Sequence, residues 1–176
     1  MAKIIQKRTE RKYLPEFVYG GMDGAITTFA VVSGVVGASL GSAIILILGF
    51  ANLFADGFSM AISNYSSVKS RNELIKEPEK NPIKTSVATF FAFLFVGFVP
   101  LISFVLASIT QNPQLIANQF RYSFVLTGIA LIIIGWLKGS VTGKNKIRSS
   151  LEILVIGGIA ALIAFSIGYL IKSLLA

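Results

Sequence analysis

The chain has neither cysteine nor histidine. Those two absences remove disulfide scaffolds, zinc fingers, the usual thiolate and haem ligation, and every catalytic triad that uses imidazole. Charge is scarce as well, at 14% of 176 residues against 54% hydrophobic, and the mean hydropathy is +0.76. A soluble domain ordinarily carries about 25% charged residues. No nucleophile and base pair and no cofactor motif stands out, so an enzyme is not expected. The net charge of +8 would suit a nucleic acid. Uncharged apolar runs longer than about 18 residues point to membrane helices instead, so the basic residues report topology and no nucleic-acid partner is expected.

What is present is five apolar segments: Phe17 to Leu40, Ser42 to Tyr65, Ser86 to Ser108, Tyr122 to Leu137 and Leu151 to Leu174. Even the shortest nearly crosses a hydrocarbon layer of ~30 Å, with Lys138 reaching outward at its end. The expected fold is therefore an all-α membrane protein, one domain over residues 1–176 with five spans. The first two spans are joined only by the tip around Leu40 and Gly41, which predicts a tight antiparallel hairpin. Gly97 and Pro100 predict a kink in the third. The loop Ser70 to Lys84, with Pro78 and Pro82, is expected to be irregular or at most a short helix.

Positive charge sorts to one side. The amino-terminal segment carries five Lys and Arg residues, the connection after span two five, and the connection after span four four, whereas the opposite side has only Arg121 and Lys172. The amino terminus, residues 1–16, should be a basic cytoplasmic segment. Its apolar run comes late, is long and lacks a small-x-small cleavage site, so it reads as retained rather than as a signal peptide. Met1 to Tyr13 is expected either to lie along the membrane surface or to form a solvated tail, with Pro15 opening the first span. Without an organelle signal, the expected location is a prokaryotic plasma membrane.

Two acids break the apolar pattern. Asp23 and Asp56 lie inside spans that hold no Lys or Arg in their interiors. Each costs on the order of 2.5–3.5 kcal/mol near a helix centre on insertion scales. Asp23 precedes the Leu40 tip and Asp56 follows it by nearly equal lengths, so both fall about 25 Å from the tip at 1.5 Å per residue. Two level carboxylates repel if both are ionised; either one is protonated or a cation lies between them. Asn52, Asp56, Met60 and Asn64 recur at intervals of four along one stripe of the second span, and Glu16, Asp23 and Thr27 share a face of the first. Met60 adds a soft sulfur to oxygen ligands, which favours a transition ion over magnesium or calcium. The alternative is structural: neutral acids bonded to Thr27, Thr28, Ser59 or Ser63, with Asn52 and Asn64 as interhelical glue and Met22 as filler. Glu16 and Glu152 at helix starts also complement the helix dipole.

The segments YGGMDGAITTFAVVSGVVG (residues 19–37) and ANLFADGFSMAISNYSS (residues 51–67) resemble the vacuolar iron transporter family. NPIKTSVATFFAFLFVGFVPLI is similar to that family's third span, and SLEILVIGGIAALIAFSIGYLI to its last. The resemblance implies a five-span homodimeric carrier that moves ferrous iron, sometimes manganese, out of the cytosol by proton exchange. It implies Asp23, Asp56 and Met60 as transport ligands. Better-known members carry a long Glu-rich cytoplasmic insert between spans two and three; here Glu73, Glu77 and Glu79 are its only remnant, which puts metal capture by that module in doubt.

The metal-ligand candidates are thus Asp23, Asp56, Met60, Glu16, Asn52 and Asn64, with the ion as substrate and no resident cofactor. The expected partners are the lipid bilayer, a divalent metal ion, protons and a second copy of the chain. The competing expectation is a non-transporting membrane subunit whose Asp23 and Asp56 pair with basic residues of a partner helix.

Overall fold

The computed structural model describes residues 2–75 and 80–175, with side chains described from Tyr13 onward. Six helices and a short 3-10 turn account for almost all of it: α1 (Ala2–Gly37), α2 (Ser42–Ile75), α3 (Pro82–Gly97), the 3-10 turn Val99–Leu101, α4 (Ile102–Thr110), α5 (Pro113–Thr142) and α6 (Lys146–Leu175). With α3, the turn and α4 taken together, five helical rods are long and apolar enough to cross a membrane.

The rods outrun the apolar segments because polar residues and caps, not hydropathy, set helix ends. Asn81 accepts from the amides of Ile83 and Lys84, and Asn112 from those of Gln114 and Leu115. Each precedes a proline whose missing N–H is harmless in a first turn. Gly143, at φ 67°, closes α5 in the left-handed conformation. Two expectations are corrected. Pro15 does not open the first span: it sits, exposed, inside a 36-residue helix that starts at Ala2. A single lost hydrogen bond does not stop so long a helix where the ring points outward. The loop after span two is also shorter than expected, since α2 continues to Ile75 and α3 begins at Pro82. Lys76, Glu77, Pro78, Glu79 and the side chains of the amino-terminal tail lie outside the described residues.

The expected kink is present. The third rod breaks at Phe98 and re-forms through Val99–Leu101. Its break is clamped from α5, where Ser123 Oγ donates to the Pro100 carbonyl at 2.6 Å and Ser103 Oγ donates to that of Gln119 at 2.7 Å. That supports packing as its role.

Helix α1 is the central element, packed most extensively on α3 and α6, while α2 packs chiefly on α3. The tight hairpin is therefore only partly realised: α1 and α2 are joined by a short turn but diverge, and α3 fills the space between them. Small residues permit this. A Cβ on Gly20 would stand 2.5 Å from the Thr89 carbonyl oxygen, and one on Gly24 2.5 Å from that of Phe93, so α1 and α3 run side by side in the same direction at backbone contact. Gly34 and Gly168 make the equivalent approach between α1 and α6, as does Gly135 of α5 with Ser150 of α6. Phe29, Val32, Leu53, Phe93, Leu101 and Phe104 lie in the main core. Outward, α6 presents Leu162, Ile163 and Leu170 and α2 presents Phe54, Phe58 and Ile62, all more than half or close to half exposed. A bilayer covers such surfaces; water would not tolerate so much.

Candidate metal centre

Phe93 of α3 fixes the level of the two intramembrane acids. A Cβ on Gly24 would meet its backbone, and one on Gly57 would come within 3.1 Å of its ring. Each glycine follows an aspartate, so Asp23 on α1 and Asp56 on α2 stand at one depth on either side of α3. Both side chains are half-buried, and Asp56 is close enough to Asp23 to act on it electrostatically. The equal spacing from the tip gave the correct level, although α3 rather than direct α1–α2 contact maintains it.

Neither carboxylate accepts a hydrogen bond or an ion pair from a described residue. The hydroxyl of Thr27 donates instead to the backbone carbonyl of Asp23 at 2.9 Å, and that of Thr28 is buried without a partner. Ser59 and Ser63 are exposed. None of the four donors considered from sequence serves the acids.

The stripe on α2 faces inward. Asn52, Asp56 and Asn64 are half-buried and Met60 is buried at 7% exposure, while Phe54, Phe58 and Ile62 on the other face are exposed. Asn52 Nδ2 and Asn64 Oδ1 are buried with nothing to bond. A buried polar atom without a partner costs about 1–3 kcal/mol, so two on one stripe mark a polar track left unsatisfied by the described residues. Met60 lies in the main apolar core, and Met22 packs at the edge of the smaller one.

Glu16 is brought into contact with a residue that sequence reasoning counted only for topology. Lys80, just before α3, places its ammonium 2.7 Å from Glu16 Oε1, and Asn72 holds the Lys80 carbonyl through Nδ2 at 2.8 Å. Glu16 is 7% exposed, and its second oxygen, Oε2, is buried and unpartnered. One and two turns further along α1 come Gly20 and Gly24, so Glu16 lies nearer the amino-terminal end of the bundle than the aspartate pair. Glu152, by contrast, forms an exposed pair with Lys138 at 3.0 Å. Among the described residues no group of three acidic side chains comes together. Lys80 and Phe93 were missed from sequence. The spacing of four shared by Gly20 and Gly24 with Thr89 and Phe93 was the available signal for Phe93, and nothing marked Lys80.

A bundle of five spanning rods with an unneutralised acid pair at matched depth defines a polytopic membrane protein with a polar centre inside its lipid-facing shell. The chain belongs to the VIT family, whose profile matches residues 14–81 and 73–169. Its relatives include the "Vacuolar iron transporter" of Plasmodium berghei, 25% identical over 229 aligned positions that cover 93% of this chain and 84% of the relative. They also include "Vacuolar iron transporter homolog 3" of Arabidopsis thaliana, 30% identical over 176 positions covering 92% and 84%, and "Vacuolar iron transporter 1" of the same plant, 23% identical over 236 positions covering 96% and 92%. This is a transporter family and not an enzyme family. The alignments with the first and third relatives are longer than this chain, so those proteins hold residues that it lacks. The two segments of the profile match overlap at residues 73–81, from the last turn of α2 to the residue before α3.

Proposed function

We propose that the protein exports ferrous iron, and secondarily manganese, from the cytoplasm in exchange for protons, with Asp23 and Asp56 carrying the ion. The observation that carries this reading is the acid pair itself: two carboxylates held level across α3, half-buried, and without a donor among the described residues. A dication between them offsets their repulsion and part of the insertion cost, and a proton competes for the same oxygens, so uptake of one releases the other. Family membership and the names of the relatives support iron as cargo. Met60, one turn from Asp56, supplies the soft ligand once its side chain swings from the core into the cleft. Asn52 and Asn64 complete the path.

The start of α1, the α2–α3 connection and the α5–α6 turn lie at one end of the bundle and carry most of the Lys and Arg, which supports that end as cytoplasmic. Glu16 then stands at the inner mouth, where its unpartnered, buried Oε2 takes the arriving ion as the mouth opens while Lys80 holds Oε1. Two carboxylates, two amides and one thioether give five ligands, one short of a six-coordinate ion when each carboxylate binds through a single oxygen. The half-buried stripe of α2, whose Asn52 and Asn64 amides each hold a buried atom with no partner among the described residues, supports a homodimer in which two copies of the stripe approach one axis.

The test is ferrous iron flux into liposomes containing the purified protein under an imposed proton gradient. Iron should accumulate, and dissipating the gradient should slow it several-fold. Asp23→Asn and Asp56→Asn should each abolish it while eluting as folded protein. Undiminished flux in either variant would defeat the assignment.

A further inference from the structure

The turn between α5 and α6 carries positive charge that the described protein does not neutralise. Gly135 and Gly139 let the two helices close on each other here; a Cβ on Gly139 would stand 2.7 Å from the Lys146 Cα. Asn145 then caps α6, its Oδ1 accepting from the amides of Ile147 at 3.0 Å and Arg148 at 3.1 Å. Two nearby cations are already placed: Lys138 pairs with Glu152 at 3.0 Å, and the Lys146 ammonium sits 5.0 Å above the Trp136 ring. Lys144 and Arg148 are not. Neither side chain makes a hydrogen bond or ion pair to a described residue, and both border a cavity of about 570 Å³ walled also by Asn145, Ser149 and Glu152.

Ser149 is the third element. It is 3% exposed, lines the same cavity, and its hydroxyl has no partner among the described residues. A guanidinium fork, an ammonium and a serine hydroxyl around one cavity match the oxygens of a phosphate group. The amides at the start of α6 are occupied by Asn145, so recognition belongs to the side chains rather than to the helix end.

The depth of the cavity identifies the source of that phosphate. Trp136, the only tryptophan, is 49% exposed on α5 just inside this end. Such rings settle at the headgroup level of a bilayer, which places Lys144 and Arg148, beyond it, among lipid phosphates. We propose that the cleft formed by Lys144, Arg148 and Ser149 binds the headgroup phosphate of an anionic phospholipid from the leaflet at this end of the bundle. This site is separate from the acid pair and does not depend on the transport reading.

The test is native mass spectrometry of the full chain purified in detergent with equal amounts of phosphatidylglycerol and phosphatidylcholine. Phosphatidylglycerol should be retained preferentially. A basic residue near an anionic surface is worth roughly a factor of five in affinity, so Lys144→Ala with Arg148→Ala should lower retention by about twenty-five-fold. Arg148→Gln alone, which keeps length and polarity, should lower it about five-fold. Lys172→Ala at the opposite end should leave it unchanged. Equal retention of the two lipids, or undiminished retention in the Arg148→Gln protein, would overturn the site. Displacement of the lipid by millimolar inorganic phosphate would overturn the lipid assignment in favour of a free anion.

Discussion

At the residue scale the account rests on a few polar atoms that have no partner. Met60 is the position where its place in the core can be separated from its proposed role as a ligand, because the first needs volume and the second needs sulfur. Met60→Leu preserves volume, and such exchanges cost under about 1.5 kcal/mol. The variant should melt within a few degrees of the parent yet lose discrimination: the ratio of iron to calcium flux should fall several-fold in competition assays. An unchanged ratio would return Met60 to the core alone. Glu16 should behave differently from the aspartates. On the proposed reading it binds the ion before the translocating step, so Glu16→Gln should raise the KM for iron several-fold with little effect on maximal flux. Removing its counter-ion through Lys80→Met should move KM in the opposite direction, since both oxygens then face the incoming ion.

These positions also show what was legible. Asp23 and Asp56 were evident because charge in an apolar run is costly and therefore rare, and their equal distance from the tip is simple helix arithmetic. The inward stripe of Asn52, Asp56, Met60 and Asn64 followed from spacing of four. The Glu16–Lys80 pair spans 64 positions, and no local pattern encodes a contact between a helix face and a side chain in a connection. Thr27 and Thr28 looked like donors to the acids, but a hydroxyl in a helix bonds readily to the carbonyl four residues back, and Thr27 does so.

At the element scale, glycine determines which helices touch. Gly24 brings α1 onto the backbone of α3 and sets the height of Asp23, whereas Gly158 on α6 has no neighbour within 4 Å of a Cβ. The two substitutions should therefore diverge. Gly24→Ala forces α1 and α3 apart and should cost about 1–3 kcal/mol, read as a lower melting temperature together with reduced iron binding. Gly158→Ala should leave binding intact and be neutral or slightly stabilising. Equal effects would mean that close approach is not what positions the acid. The rods were readable from hydropathy and the break from Gly97 and Pro100, but their ends were not. Helices α2 and α5 extend past their apolar cores until a turn or cap stops them, as Asn112 and Gly143 do for α5. The order of packing was hidden too: a short link between α1 and α2 suggested a close pair, while the fit of Gly20 and Gly24 against Thr89 and Phe93 gave that place to α3.

At the scale of the whole molecule, the surface decides the assembly. Helix α6 is mostly lipid-facing, and α2 combines an apolar outer face with an inner stripe whose amides lack partners. A cysteine-free chain makes the proposed homodimer straightforward to test. Ser59→Cys, on the exposed face of α2 beside Met60, should give a disulfide-linked dimer on mild oxidation in membranes. Ile163→Cys on α6 should remain monomeric. Cross-linking through α6 and not α2 would place the shared axis elsewhere and leave the ion without its second set of ligands. On the proposed reading, capture at the mouth falls to Glu16, whose carboxylate attracts a cation at an end otherwise rich in Lys and Arg.

The most direct measurement of the central claim is anomalous diffraction from crystals soaked in manganese. The account predicts a peak within bonding distance of Asp23 and Asp56, lost in the Asp56→Asn protein. A protein that carries manganese in liposomes but shows its only ordered metal away from both aspartates would contradict it.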